Sequence, residues 1–185
     1  DILAYLNYLI NPEDTVSFER ILNVPKRGIG ESTLQKLRDY ANKNEISLSK
    51  SIENLDEINN LSDRVKKQIN NFKEIINDLK SFALQGPSET ISKTLELTGY
   101  KDELVKEGTL DSQMRLENLD ELLTSAFEFE NLYEEDIEDP FTVLRDYLES
   151  IALFTDSDDV DKEDRILLMT LHNAKGLEFP VVFMT

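Results

Sequence analysis

The sequence contains no cysteine and one histidine in 185 residues, and it has no long apolar run. Without cysteine, disulfide cross-links and thiolate zinc sites are excluded, and thiol redox chemistry is excluded with them. A membrane-spanning helix needs about 20 consecutive apolar residues, and a secretion signal needs a basic segment followed by an apolar one. Neither pattern occurs, so we expect a cytoplasmic protein without membrane contact.

Basic residues are also scarce, because 20 Lys and Arg stand against 38 Asp and Glu, for a net charge of -18. Proteins that bind DNA usually present a surplus of positive charge, so the overall charge argues against generic DNA binding. The distribution is uneven, however. Between residues 116 and 164 the only basic residues are Arg145 and Lys162, whereas six cluster around the segment VPKRGIGEST: Arg20, Lys26, Arg27, Lys36, Arg38 and Lys43. The overall charge therefore does not exclude a local contact with phosphate.

The segment VPKRGIGEST lies between two stretches with helical apolar spacing. Gly28 and Gly30 flank Ile29 in a short turn, where glycine permits positive φ and lets a phosphate approach the backbone. The N–H groups and dipole of the following helix would favour an anion, with Ile29 pointing inward and Lys26 and Arg27 adding charge at the rim. The glycines could equally serve only to make the turn of a helical hairpin, and the residues alone leave both interpretations open.

Apolar spacing over most of the chain predicts a mainly α fold. The helix on TVSFERILNV ends before Pro25, because the proline ring cannot continue it. The longest predicted helix, residues 62–83, carries one apolar stripe: Val65, Ile69, Phe72, Ile76 and Leu79. Another helix is predicted to begin at Pro87 and to end at Gly99.

Two amphipathic helices and two strands complete the prediction. The helix on SQMRLENLDELLTSAFEF has an expected core face of Leu119, Leu122, Leu123, Ala126 and Phe127. The next helix is expected to begin at an Asp139 cap and to bury Leu144, Tyr147, Leu148 and Ile151. After the charged segment TDSDDVDKED, the segments RILLMT and PVVFMT have the apolar pattern of buried strands. We therefore expect an α/β region that begins near Asp164 and continues beyond the sequence.

Three motifs of metal binding or catalysis are absent. The acidic segment from Asp156 lacks the sixth-position Gly and twelfth-position Glu of a calcium-binding EF-hand loop, where Asp161 and Leu167 stand. Neither a G-x-x-x-x-G-K-[ST] phosphate-binding loop nor a G-x-S-x-G nucleophile turn occurs. We therefore expect no metal site, no catalytic residue and no ATP hydrolysis by this chain alone.

A second candidate site follows the first predicted strand. The segment TLHNAKGLEF places His172, Lys175 and Glu178 on a strand-to-helix turn, where α/β folds usually bind ligands. A lone histidine is ordinarily structural or solvent-exposed, so the residue types alone assign no role.

At both candidate sites the sequence resembles the UvrD/Rep/PcrA family of superfamily 1 DNA helicases. The segment TLHNAKGLEFPVVF is similar to motif V of that family. Residues 1–37 resemble the segment that leaves the second RecA-like motor domain, called 2A, and enters the inserted 2B subdomain with its GIG element. The segments RLENLDEL and YLESIALFTDSDD resemble the closing part of the insertion, so the likeness covers essentially the whole chain.

The resemblance implies a domain organisation. Residues 1–13 would leave 2A, and residues 14–155 would form the helical 2B subdomain with a helix-hairpin-helix element. Residues 156–164 would be an acidic linker. Residues 165–185 would return to the motor domain as a short two-strand α/β remnant that carries motif V. The two junctions that flank the helical body, near Asn11–Thr15 and near Thr155–Asp164, are both polar and are the expected hinges.

The resemblance also implies roles for individual residues. The expected contacts to duplex DNA are Lys26, Arg27, Gly28, Ile29, Gly30 and Thr33. Thr170 and His172 would contact single-stranded DNA. Lys175 would lie near the phosphates of ATP, and Glu178 near its ribose.

The implied function is part of an ATP-dependent 3′-to-5′ DNA helicase of repair and replication, in which 2B contacts duplex DNA and regulates unwinding. ATP and Mg²⁺ would serve the full-length enzyme, with neither expected on this fragment. Expected partners are duplex and single-stranded DNA, the remaining motor domains of the polypeptide, and repair or transcription proteins. The alternative is an acidic protein-interaction or autoregulatory module, in which residues 117–164 dock a basic partner without direct DNA contact.

Overall fold

In a computed structural model of the chain, the structure describes residues 1–133 and 141–156, with side chains described as far as Ala152. The helices are α1 (Ile2–Ile10), α2 (Thr15–Leu22), α3 (Glu31–Asn44), α4 (Leu48–Ser51), α5 (Asp63–Phe82), α6 (Pro87–Thr98), α7 (Tyr100–Glu107), α8 (Leu110–Leu132) and α9 (Thr142–Asp156). A short 3₁₀ turn, Ala83–Gln85, joins α5 to α6. No strand occurs among the described residues, and the mainly α fold is confirmed there.

Helix α1 lies between two groups of buried side chains and contributes to both. Tyr5 and Tyr8 belong to the first core group, which is built with α2, α3, α4 and α5. Ile2 and Leu6 belong to the second core group, which is built with α6, α7, α8 and α9. Tyr5 and Leu6 are fully buried. Helix α1 is therefore part of the same packed body as the helices on either side of it.

The first core group is arranged around α5. Its N-terminus is capped by Ser62, as expected for the start of a helix after a polar turn. The predicted apolar stripe is confirmed, because Ile69, Phe72, Ile76 and Leu79 are all buried. The rings of Phe72 and Phe18 meet edge-on with centroids 6.2 Å apart, an arrangement that aromatic pairs favour.

In the second core group, helix α6 begins and ends at the residues predicted from the sequence. Pro87 occupies the first turn of α6, and Gly99 ends that helix in the left-handed conformation, as predicted. Leu144 and Tyr147 of α9 are buried in this second core group, which confirms their expected place in the core. Chain breakers and caps act locally, so these boundaries follow from short sequence patterns.

Helix α8 is present as predicted, but its buried face differs. Leu119 is 8% exposed and Ala126 is fully buried, whereas Phe127 is 60% exposed. Leu122 and Leu123 are half-buried against the second core group. Apolar residues are spread around α8, and only those that face α6, α7 and α9 are covered. The prediction that Phe127 lies in the core is therefore wrong.

The α1–α2 connection is short and capped. Asp14 accepts a hydrogen bond from the N–H of Ser17 at 3.1 Å, which caps α2. Beyond the connection, the rings of Tyr8 and Phe18 are in contact, with centroids 5.4 Å apart. A swivel between these helices would separate the buried rings, so the packing argues against the hinge expected at Asn11–Thr15.

Several predictions concern residues outside the described part of the chain. These are the Asp139 cap, the acidic linker, the two strands, and the motif V positions Thr170, His172, Lys175 and Glu178. In the part of the chain that the structure describes, every helix is too short or too polar to span a bilayer.

Candidate nucleic-acid interface

The turn between α2 and α3 is closed by the side chain of Asn23. Its Oδ1 accepts hydrogen bonds from the N–H of Arg27 at 2.8 Å and of Ile29 at 3.1 Å. Ile29 is 3% exposed and packs in the first core group, as the sequence predicted. One carboxamide therefore holds both sides of the turn while Ile29 anchors it to the core.

The two glycines of the turn have different backbone requirements. Gly28 has φ of +76°, a conformation that favours glycine. Gly30 is the N-cap of α3, with φ of -88° and ψ of 176°, which other residues also adopt. A Cβ added at either position would meet no atom within 4 Å. Both glycines therefore leave space for a ligand to approach the backbone.

The first turn of α3 presents free N–H groups. The N–H groups of Thr33 and Leu34 both donate to the carbonyl of Gly30, at 2.9 and 3.1 Å. No side chain caps α3, and the N–H groups of Glu31 and Ser32 have no acceptor among the described residues. Because a helix N-terminus carries partial positive charge, this end of α3 suits an anion.

The predicted duplex contacts lie at different depths. Lys26, Gly28 and Gly30 are exposed, whereas the side chains of Ile29 and Thr33 are buried. The surface of the turn is therefore formed by backbone and by one lysine. Residues with buried side chains can contribute to this surface only through their backbone or by holding its shape.

Arg27 is half-buried, and its guanidinium is directed into the protein. Its Nη1 donates to the carbonyls of Val24 at 2.9 Å and Ile21 at 3.0 Å, and its Nη2 donates to the hydroxyl of Tyr5 at 2.7 Å. The guanidinium carbon also lies 5.3 Å from the ring centroid of Phe72. Arg27 therefore connects the turn to α1, α2 and α5.

Other basic residues of the cluster are also engaged. Arg20 pairs with Asp1 at 2.9 Å. Arg38 pairs with Glu19 at 2.7 Å and with Glu31 at 2.8 Å. Lys36 donates a hydrogen bond to the carbonyl of Asn60 at 2.8 Å. Lys26 and Lys43 are exposed and form no ion pair with described residues. Lys26 is therefore the charged side chain on the turn that is available to a phosphate.

Comparison with known proteins places the whole chain in one family. The family model described as the UvrD-like helicase C-terminal domain matches residues 1–185. The chain belongs to this family. The resemblance to UvrD/Rep/PcrA helicases is therefore confirmed.

Relatives of this UvrD-like domain include two bacterial proteins named ATP-dependent DNA helicase PcrA. The proteins from Staphylococcus aureus (strain Mu50) and Staphylococcus epidermidis (strain RP62A) are each 39% identical to it over 185 residues. The match covers 100% of this chain and 25% of each relative. The chain therefore spans about a quarter of the length of the curated relatives it matches.

Two residues that organise the turn of this UvrD-like domain were not predicted from the sequence. Asn23 follows α2 directly, and an asparagine at a helix end is a recognisable signal for a local cap. The two N–H groups that it binds lie four and six residues further on. The sequence therefore indicates that Asn23 caps a turn, but it does not indicate which N–H groups Asn23 binds. Tyr5 lies in another helix, and no local pattern connects it to the turn.

The donors on the surface of the turn have the chemistry that an anion requires. Backbone N–H groups and a lysine ammonium are donors, which suit phosphate oxygens. Within residues 1–133 and 141–156, no group of three His, Cys, Asp or Glu side chains is arranged to hold a metal ion. The positions expected to face the nucleotide, Lys175 and Glu178, lie outside the described residues.

Proposed function

We propose that this UvrD-like domain is part of an ATP-dependent 3′-to-5′ DNA helicase of repair and replication, and that its α2–α3 turn contacts duplex DNA. Family membership and the helicase names of its relatives support the activity. The open N-terminus of α3 carries the proposal for the contact, because two backbone N–H groups there have no acceptor among the described residues.

The proposed contact places a phosphate at the start of α3. The N–H groups of Glu31 and Ser32 donate to its oxygens, and Lys26 supplies one positive charge beside it. In this arrangement α2, the turn and α3 form the helix-hairpin-helix element of the 2B subdomain. Neutral donors act over a few ångströms, whereas carboxylates beyond a Debye length of about 10 Å are screened. The nearby carboxylate of Glu31 is paired with Arg38 at 2.8 Å. The contact is therefore compatible with a net charge of -18.

The remaining assignments follow the family pattern. Residues 14–155 act as the 2B subdomain, whose rotation regulates unwinding. Helix α1 moves with this subdomain, because Tyr5 and Leu6 are buried in its two core groups. In motif V, Thr170 and His172 contact single-stranded DNA, while Lys175 and Glu178 face the phosphates and ribose of ATP. ATP with Mg²⁺ supplies the free energy for translocation in the full-length enzyme.

The substitution Gly30→Asp tests the contact in the full-length protein. Aspartate is a favourable N-cap, so its carboxylate would occupy the N–H groups at the start of α3 and repel phosphate. We expect duplex affinity, measured by fluorescence anisotropy, to fall about tenfold, equivalent to about 1.4 kcal/mol. Because the new cap favours the helix, the stability of the fold should rise by about 0.5 kcal/mol in thermal unfolding.

Two control variants test whether a loss of duplex affinity comes from the negative charge placed at the start of α3. Thr109→Asp places the same charge at the N-cap of α8 and should leave duplex binding unchanged. Gly30→Asn fills the N-cap of α3 without charge and should give a smaller loss than Gly30→Asp. Duplex affinity at the wild-type level in Gly30→Asp would show that α3 does not bind the duplex.

A protein-interaction module is the second candidate, and helix α8 gives it structural support. Leu110 is 80% exposed, Met114 63% and Phe127 60%, on a helix that also carries exposed carboxylates. Exposed apolar side chains among acidic ones suit a basic partner protein. This candidate is favoured if Gly30→Asp leaves duplex binding intact while replacement of Leu110 and Met114 by serine abolishes a protein contact.

A further inference from the structure

The hydrogen bonds of Arg27 identify a role that differs from phosphate binding. Besides the carbonyls of Ile21 and Val24, Nη1 lies 3.3 Å from the carbonyl of Pro25 and 3.4 Å from that of Leu22. These carbonyls belong to the end of α2 and the start of the turn. The end of a helix carries partial negative charge, which an arginine stabilises. The charge of Arg27 is therefore used inside the protein.

The guanidinium also reaches two other helices. Its Nη2 donates to Tyr5 of α1 at 2.7 Å, and its plane lies near Phe72 of α5. Arginine can do this because its several donors point in fixed, divergent directions and its flat group packs on an aromatic ring. A lysine has one compact ammonium group, which cannot reach the same set of partners.

The same network extends to the surface of the turn. The backbone N–H of Arg27 is bound by Asn23, which also binds the N–H of Ile29. Gly30, the N-cap of α3, follows directly. The Arg27 guanidinium and the Asn23 carboxamide therefore hold the same segment, which leads into the free N–H groups of α3.

We propose that Arg27 is a positioning residue for duplex binding: together with Tyr5 it holds the α2–α3 turn so that the N–H groups of Glu31 and Ser32 face the DNA. This inference rests on the proposed duplex contact of the turn. Arg27 itself does not touch phosphate, and Lys26 supplies the charge on the turn.

Tyr5 makes the inference testable because it has no access to DNA. Its side chain is fully buried, and its hydroxyl donates to the carbonyl of Val24 while accepting from Arg27. Burial raises the pKa of Tyr5, so the hydroxyl stays protonated and remains a donor. Any effect of Tyr5 on duplex affinity must therefore be indirect, either through the turn or through the stability of the fold.

The experiment measures duplex affinity of the full-length protein between roughly 50 and 200 mM salt. We expect Tyr5→Phe and Arg27→Lys each to weaken binding about three- to tenfold, with the slope of log K against log salt unchanged. Lys26→Ala should instead reduce that slope by about 1, as expected for the loss of one phosphate contact. Adding Tyr5→Phe to Arg27→Lys should cause little further loss, because both act on one network.

Tyr147→Phe is the matched control for loss of a buried hydroxyl. Tyr147 is 1% exposed, and its hydroxyl donates to the carbonyl of Leu122 at 3.0 Å in the second core group. Its removal should lower the midpoint of thermal unfolding as Tyr5→Phe does, without changing duplex affinity. An equal loss of duplex affinity in Tyr147→Phe and Tyr5→Phe would overturn the positioning role, because general destabilisation would then explain both.

Two further outcomes separate this inference from the proposed function. If Gly30→Asp weakens binding but Arg27→Lys and Tyr5→Phe bind like the wild type, the turn contacts DNA and the positioning role is wrong. If Gly30→Asp also binds like the wild type, the duplex contact itself is wrong. Full retention of affinity in Arg27→Lys with loss in Arg27→Met would identify a charge contact by Arg27 and overturn the inference.

Discussion

Helices α3 and α6 both begin at a glycine, yet their N-termini have opposite surroundings. At α6, the N–H of Ser88 donates to Oε1 of Glu130 at 2.7 Å, and its hydroxyl donates to Oε2 at 2.6 Å. A Cβ added at Gly86 would lie 2.5 Å from Oε1 of the same glutamate. At α3, the space beside Gly30 is open and no side chain caps the helix.

The comparison shows how tertiary structure separates two similar sequence features. The carboxylate that fills the N-terminus of α6 comes from α8, 42 residues further along the chain. It supplies the negative charge that a helix N-terminus favours, so α6 is satisfied internally. Because α3 receives no such group, its N–H groups are available to an external anion. The start of α6 is filled by the protein itself, and the start of α3 is the site that we propose contacts DNA.

The largest effect is expected for Gly86→Ala. Gly86 has φ of +115° and ψ of 168°, a region that residues other than glycine rarely adopt, and the new Cβ would also displace Glu130. We expect a loss of about 3 kcal/mol in the free energy of unfolding, measured with urea. A loss below about 1 kcal/mol would contradict both the backbone strain at Gly86 and the tight space beside Glu130.

A smaller loss is expected for Glu130→Gln. The amide can still form hydrogen bonds with Ser88, but the negative charge at the start of α6 disappears. Stability should fall by about 1 kcal/mol in thermal unfolding. Glu128→Gln removes the same charge from an exposed position on α8 and should have almost no effect. Equal losses in the two variants would contradict a specific cap by Glu130.

The smallest effect on stability is expected for Gly30→Ala. The backbone of Gly30 is extended, and its new Cβ would meet no atom within 4 Å. Alanine is a poorer N-cap than glycine, so a loss of about 0.5 kcal/mol is expected in urea unfolding. If Gly30→Ala were as destabilising as Gly86→Ala, the two helix starts would not differ as the comparison requires.

Sequence patterns predicted much of the candidate site. The inward position of Ile29 follows from the turn sequence alone, and the structure confirms it. The sequence also indicated that a glycine of this turn could take positive φ, and the structure shows that Gly28 does so while Gly30 does not. The direction of Arg27 could not be predicted in the same way. A K-R pair beside a glycine turn suggests surface charge, whereas the partners of Arg27 include Tyr5 and Phe72 from other helices.

The same distinction applies to the fold. The α5 stripe was predictable, because Ile69, Phe72 and Ile76 recur at helical spacing on one face. The buried face of α8 was not, because its apolar residues surround the helix and its neighbours decide which are covered. Phe127 is exposed because no neighbouring helix among the described residues covers its side of α8, whereas the adjacent Ala126 is buried.

The sequence by itself determined where most helices begin and end and which segment forms the α2–α3 turn, because caps, glycines, prolines and apolar spacing act over a few residues. Tertiary structure alone decided that Glu130 fills the start of α6, that Arg27 points inward and that the start of α3 is left open. Those outcomes depend on side chains that folding brings together from distant positions in the chain.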